Sequence, residues 1–218
     1  MKRIKLVLFL VMGGLVSACA NTNVASRNAP YQDAPLSASP TLEAVGSLKN
    51  VTVNDITVRV PRSLSVSEAN RYLPSSDIVW REDPIGDRHA QVARIFYDAM
   101  TKGTATLDGV TAVDLDIEVG RFHALTEKAR YTTGGVHNIN FTLTLRDADT
   151  GVILGDQRIV RADLDAFGGQ QALQAEARGL TQKVRITNHL AEVIRQELSN
   201  ADGFQNPKLG LIQAMNQI

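Results

Sequence analysis

Asp114, Asp116 and Glu118 occupy alternate positions, so in a strand all three carboxylates point to one face, as general acids and bases or metal ligands would. A solvated sheet face explains the same spacing. If the strands around 117 and 143 pair as an antiparallel hairpin that sets Asp114 against Arg146, Asp116 faces Thr144 and Glu118 faces Thr142. The exposed side of such a sheet is ordinarily polar, and this is the preferred expectation. The same register sets His123 against His137 on the apolar face. Two imidazoles can begin a zinc site, but a site needs a third and usually a fourth ligand. His89 and His189 fall on predicted helices without the HxxxH or HExxH spacing, so structural histidines and no metal are expected. No nucleophile elbow, Walker loop or Cys/His pair is present, and Gly168-Gly169 alone is no phosphate loop. The sequence is therefore expected to be non-enzymatic and without a cofactor. Arg121, Lys128 and Arg130 make the segment 121–138 a basic, Gly-tipped loop, a solvated turn by default and a candidate partner contact.

The 218 residues carry 23 Lys plus Arg against 23 Asp plus Glu, 44% hydrophobic residues and a single Cys. That is a globular composition, which excludes collagen-like, wholly disordered and disulfide-scaffold classes. Balanced charge argues against a nucleic-acid partner, since displacing counterions from phosphates takes a basic excess.

Lys2, Arg3 and Lys5 precede an uncharged apolar run, Leu6 to Val16, whose length suits a signal peptide and falls short of a membrane span. The run ends in Val16-Ser17-Ala18-Cys19, which resembles the lipobox of bacterial lipoproteins. The resemblance implies a diacylglyceryl group on the Cys19 sulfur, cleavage between Ala18 and Cys19, and acylation of the freed amine. Residues 1–18 are then a signal peptide, and the three basic residues lost with it leave a net charge of −3. Attachment would rest on acyl chains, each buried CH₂ contributing about 0.8 kcal/mol, and a partner membrane is implied. In that family an Asp after the lipidated Cys marks inner-membrane retention. Ala20 and Asn21 stand there instead, which favours the outer membrane, facing the periplasm.

Residues 19–47, with Pro30, Pro35 and Pro40 and no hydrophobic periodicity, read as a flexible tether spanning roughly 30 Å. A single folded domain is expected over 48–200. Val51 to Val60 alternate as a strand whose phase slips at Asn54-Asp55, and Ile78 to Trp80 form a weak second strand. Asp87 caps a predicted helix over 88–101, with Val92, Ile95, Phe96, Ala99 and Met100 on one face and Gly103 stopping it. Strands follow over 110–124, 139–145 and 152–163, the last two joined by the turn Asp147 to Gly151. From Gln170 to Ser199, Leu173, Ala177, Leu180, Val184, Thr187, Leu190, Ala191, Ile194 and Leu198 predict one long helix, with Leu180 and Val184 buried and Gly179 a kink or close contact. Residues 201–218 form an apolar tail. Its Leu211, Ile212, Met215 and Ile218 need cover, from the domain itself or from a partner protein.

This order makes an α+β fold, a mostly antiparallel sheet of four to five strands with both helices on one face. Asp77 to Pro84, reading DIVWREDP before an amphipathic helix, and Leu115 to Phe122, reading LDIEVGRF, resemble the auxiliary lipoproteins of ABC-type envelope transporters, the PqiC-like group. The layout is also similar to LptE-like envelope lipoproteins. The resemblance spans roughly 48–200 and implies an accessory role exercised through an envelope protein partner. The alternative expectation is a lipid or small-ligand carrier, which would need an apolar cavity under the long helix.

Overall fold

The computed structural model describes residues 50–200 and 202–206. In chain order the elements are β1 (Val51–Arg59), β2 (Ile78–Val79), α1 (Arg88–Thr104), β3 (Thr111–His123), α2 (Glu127–Arg130), β4 (Gly135–Asp147), β5 (Ile153–Arg161), β6 (Leu164–Ala166), α3 (Gly169–Ala177) and α4 (Gln182–Ser199). β3 and β4 are the antiparallel centre of one mixed sheet that is mostly antiparallel. β1 and β2 lie parallel to successive parts of β3, while β5 and β6 pair antiparallel with opposite ends of β4.

Six strands form where four to five were expected, because the chain breaks at Asp163, where the last predicted strand ends, and pairs again as β6. There the Asp163 carboxylate accepts the Ile139 N–H and the Asn138 amide, both at 2.8 Å, so a side chain takes the place of the ladder acceptor. The expected slip in β1 is present as a register shift between Val53 and Asp55.

One sheet face carries the core. Val113, Leu115, Ile117 and Val119 alternate into it from β3, and Ile139, Phe141 and Leu143 from β4. A second register shift, at Gly120, lets Phe122 continue the apolar face. Trp80, Phe122, Phe96 and Phe141 then meet edge to face in series, with ring centroids 5.6, 6.1 and 5.5 Å apart. Asp87 caps α1 by accepting the Ala90 N–H at 3.1 Å. The Arg62 guanidinium, and then that N–H, hold the Asp87 carboxyl down to about 2. Gly103 does not end α1 but sits in its last turn. A Cβ there would lie 2.2 Å from the Ala191 carbonyl oxygen, so its absence is what lets α4 cross.

The single long helix is corrected to two. Gly179, at φ +76°, breaks the chain between α3 and α4, and Thr181 caps α4 afresh through the Val184 N–H. The break resets the helical phase. Leu180 and Val184, expected in the core, are 41% and 38% exposed, and Leu173 is exposed as well. From Leu190 on the expected stripe is buried, with Ala191, Ile194 and Leu198, and Ile186 and Val193 join it. Leu190→Ala is accordingly expected to cost about 2–5 kcal/mol and Leu180→Ala less than about 1 kcal/mol in chemical denaturation. Equal losses at the two positions would contradict this phase.

Candidate functional site

The carboxylate row lies on the open face of the sheet in the expected register, Asp114 against Arg146, Asp116 against Thr144 and Glu118 against Thr142. Asp116 pairs with Arg59 at 2.6 Å and with Arg146 at 3.4 Å, Asp114 accepts from Asn54, and Glu118 lies 3.6 Å from Arg59. The three carboxylates are thus bound up in a ladder of cross-strand partners.

The expected pairing of His123 with His137 is corrected. The shift at Gly120 sets His123 against Asn138 and turns it to the open face, because the extra residue inverts the alternation. There the His123 ring nitrogen lies 2.9 Å from the Arg121 guanidinium, and burial together with that positive charge lowers its pKa. His89 meets the Leu64 carbonyl at 3.1 Å, and His189 stands edge-on to Phe204. Among the described residues no three His, Cys, Asp or Glu side chains come together as a metal site.

Of the basic trio, Arg121 lies on the open face 4.0 Å from Asp77. The loop that carries the others winds into α2. Lys128 is exposed, its ammonium 4.8 Å above the Tyr72 ring, whereas Arg130 is buried against Glu82 at 3.1 Å and against Glu176. Only Arg121 and Lys128 therefore keep an accessible charge. Ala18, Cys19, Leu211, Ile212, Met215 and Ile218 lie outside the described residues. The nearer part of the tail packs on the domain itself: the Phe204 N–H donates to Glu197 at 2.6 Å, and the Asn206 amide donates to the Asp163 carbonyl at 2.7 Å.

The segment quoted for the family resemblance is a knot of ionic contacts, a role its sequence spacing did not disclose. Trp80 donates its indole N–H to Asp83 at 2.8 Å, and Asp83 takes Lys183 at 2.8 Å on its other oxygen. Burial alone would raise the Asp83 pKa, but these two hydrogen bonds outweigh it and bring the pKa below its ordinary value. Glu82 accepts the Lys183 backbone N–H at 3.1 and 3.2 Å, placing a carboxylate at the α4 N-terminus. Arg81 pairs with Glu127 at 2.6 Å. Four consecutive residues thereby lash α2 and α4 to the core.

Beside that knot is a small open recess, lined by Arg130, His137, Phe167, Ala172, Ala175, Leu180, Gln182 and Arg185. It has room for about one water molecule. β4 supplies His137, only 1% exposed, whose Nδ1 accepts the Leu125 N–H at 3.3 Å. Burial, with Arg185, Arg130 and His189 adding positive charge, pushes its pKa down to about 3, so the ring is neutral and carries its proton on Nε2. The first turn of α4 supplies Gln182, 5% exposed, with its Oε1 buried and unpartnered. Arg185, one turn on, stacks 3.4 Å from the Phe167 ring centroid and donates to the Asp165 carbonyl at 2.7 Å. Of this set Arg130, His137 and Leu180 stood out in the sequence, each for a different role. The others converge because the Gly179 break brings the start of α4 against β4 and β6, which no local pattern discloses.

No curated protein matches the sequence. Among solved structures, a candidate lipoprotein from Caulobacter crescentus CB15 is 10% identical, covers 72% of this chain and 94% of its own, and gives a TM-score of 0.31. A Xanthomonas campestris protein of the DUF330 family is 13% identical over 66% of this chain and 81% of its own, with a TM-score of 0.37. A third, uncharacterised protein is 16% identical over 66% and 90%, at 0.31. Likeness at this level carries no functional argument. A family model does match, over residues 51–214, which takes in the whole described domain, and the chain belongs to that family, the family of unknown function DUF6778.

Proposed function

We propose that this protein is a lipid-anchored accessory component of an envelope assembly or transport system, working through protein contacts without catalysing a reaction. The observation that carries the reading is Val16-Ser17-Ala18-Cys19 at the end of an uncharged apolar run, with the chain's single Cys at the position the lipobox requires. Cys19 then bears the diacylglyceryl and N-acyl chains, and residues 20–47 hold the domain off the membrane. Ala20 after the Cys favours the outer membrane, with the domain in the periplasm. Among the described residues no helix is long and apolar enough to cross a membrane, in keeping with a lipid anchor. The accessory role is supported by the way the charged side chains are used: the carboxylate row and the knot at 80–83 are occupied in holding the fold. Surfaces left for a partner are Arg121 and Lys128, together with Leu211, Ile212, Met215 and Ile218 of the tail.

Cys19→Ser removes the thiol that accepts the lipid, and is expected to shift the protein from the membrane to the soluble fraction while its thermal melt stays unchanged. Retention of the variant in washed membranes would overturn the anchor. Crosslinking of the wild-type protein in intact envelopes is expected to yield one specific companion that is lost on deleting residues 207–218 or on reversing Arg121 and Lys128 to Glu. Recovery of no companion would overturn the accessory role.

A further inference from the structure

Among the described residues three large apolar side chains are more than four-fifths exposed: Leu73 at 88%, Ile85 at 91% and Val110 at 86%. Two of them share one end of the domain. Leu73 belongs to the loop 60–77 that leaves β1, and Ile85 to the connection between β2 and α1, so both stand where β1, β2 and β3 finish. Arg88 ties the two segments together through both Glu68 oxygens and the Pro84 carbonyl. Val110 precedes β3 at the opposite end, beside the start of β1. The backbone under Leu73 is pinned: the Arg71 carbonyl accepts the Thr126 hydroxyl at 2.7 Å, the Asn70 side chain accepts the Lys128 N–H at 2.9 Å, and Pro74 is buried. The fold thus holds Leu73 out in solvent, next to the half-exposed Tyr72 ring over which Lys128 lies. Charge at this end is uneven as well. Every carboxylate of residues 60–90 and of α2 lies within 4.0 Å of a basic side chain, whereas Arg71 and Lys128 are exposed and have no ion pair among the described residues.

We infer that this end is a tip that docks on an anionic bilayer. Leu73 and Ile85 enter the boundary between headgroups and acyl chains, Tyr72 lies at headgroup depth, and Arg71 and Lys128 meet the lipid phosphates. Shape favours a bilayer over a protein. Side chains this exposed protrude singly, while a stable protein contact takes about 1,000 Å² or more of matched surface, and a fluid bilayer closes round a protrusion without matching it. The bilayer is the one that holds the anchor. Residues 20–50 enter at the far end of the sheet, yet these 31 residues extend to about 100 Å, more than twice the length of the 13-residue β3, about 43 Å. The choice of membrane rests on the proposed anchor; the contact itself does not.

The test uses residues 19–218 with Cys19→Ser, which contain every described residue and bear no acyl chain, and measures cosedimentation with vesicles of phosphatidylcholine containing about one-third phosphatidylglycerol. Saturable binding at submillimolar lipid is expected, at least tenfold weaker on phosphatidylcholine alone and falling as salt is raised. Leu73→Asp should weaken it at least fivefold, and Arg71→Glu with Lys128→Glu at least tenfold. Val110→Asp, as exposed but at the opposite end, should bind like the parent chain. All four positions are exposed, so the variants are expected to fold, which circular dichroism checks. No vesicle binding, equal binding to phosphatidylcholine alone, undiminished binding by Leu73→Asp, or an equal loss with Val110→Asp would each overturn the inference. Absent vesicle binding together with loss of the crosslinked envelope companion on Leu73→Asp would assign the tip to a protein instead. Failure of the anchor shows separately, in the membrane retention of full-length Cys19→Ser.

Discussion

Trp80→Ala is expected to destabilise the domain by about 3–5 kcal/mol, the range for deleting a fully buried large aromatic side chain. Two effects combine. The indole supports one end of the aromatic series through its edge contact with Phe122, so its removal opens a cavity where β2, β3 and α1 converge. It also takes the indole N–H from Asp83, leaving that carboxylate to Lys183 alone. Trp80→Phe separates the two, since it keeps most of the apolar volume and loses the hydrogen bond, and should cost about 1–2 kcal/mol. Because Trp80 is the only Trp, unfolding has to be followed by circular dichroism rather than indole fluorescence. A loss below about 1 kcal/mol for the Ala variant would mean that the aromatic series does not organise the core.

Arg88→Met should cost a comparable amount, about 3–5 kcal/mol, although no apolar contact is lost. Arg88 is 3% exposed, which is unusual for a guanidinium, and each of its three nitrogens donates. It donates to both Glu68 oxygens at 2.7 and 3.0 Å, to the Asp83 and Pro84 carbonyls at 2.9 and 3.1 Å, and to Gln91 at 2.7 Å. A thioether fills part of the space and satisfies none of those acceptors. Arg88→Lys keeps the charge without the planar fork and should recover less than half of the loss. Glu68 is about half exposed and can return to water, so Glu68→Gln should cost far less than Arg88→Met. A double-mutant cycle over the two positions, read by urea denaturation, checks this asymmetry. Equal single-mutant losses would show that the pair itself, rather than burial of Arg88, carries the energy.

Local periodicity alone sufficed for much of the architecture. The alternation of Val113 to Val119 and of Ile139 to Leu145, the Asp87 cap, the slip at Asn54 and the α+β class all follow from residue spacing, since each depends on neighbours within about one turn or one strand. Even the cross-strand partners of Asp114, Asp116 and Glu118 were legible, because one register matched both the apolar and the charged positions. That legibility ended at glycines and at the single Asp163. Gly120 inverted the face of His123, Gly179 reset the phase of the last helix, and Gly103 marked a helix crossing rather than a helix end. Gly103 turned on the Ala191 backbone opposite it, Gly120 on the strand beside it and Gly179 on its own φ of +76°, and a missing Cβ does not say which of these applies.

The chemistry divides along the same line. Cys19 and its flanking residues are recognised by contiguous sequence, so the expectation of an anchor needs no fold at all. The recess is the opposite case: His137, Gln182 and Arg185 belong to β4 and α4, have no common spacing, and differ in what partners them. Whether a buried polar atom has a partner is a property of three-dimensional packing, and only the tertiary structure set His137, Gln182 and Arg185 around one small recess and left the Gln182 Oε1 unpartnered there.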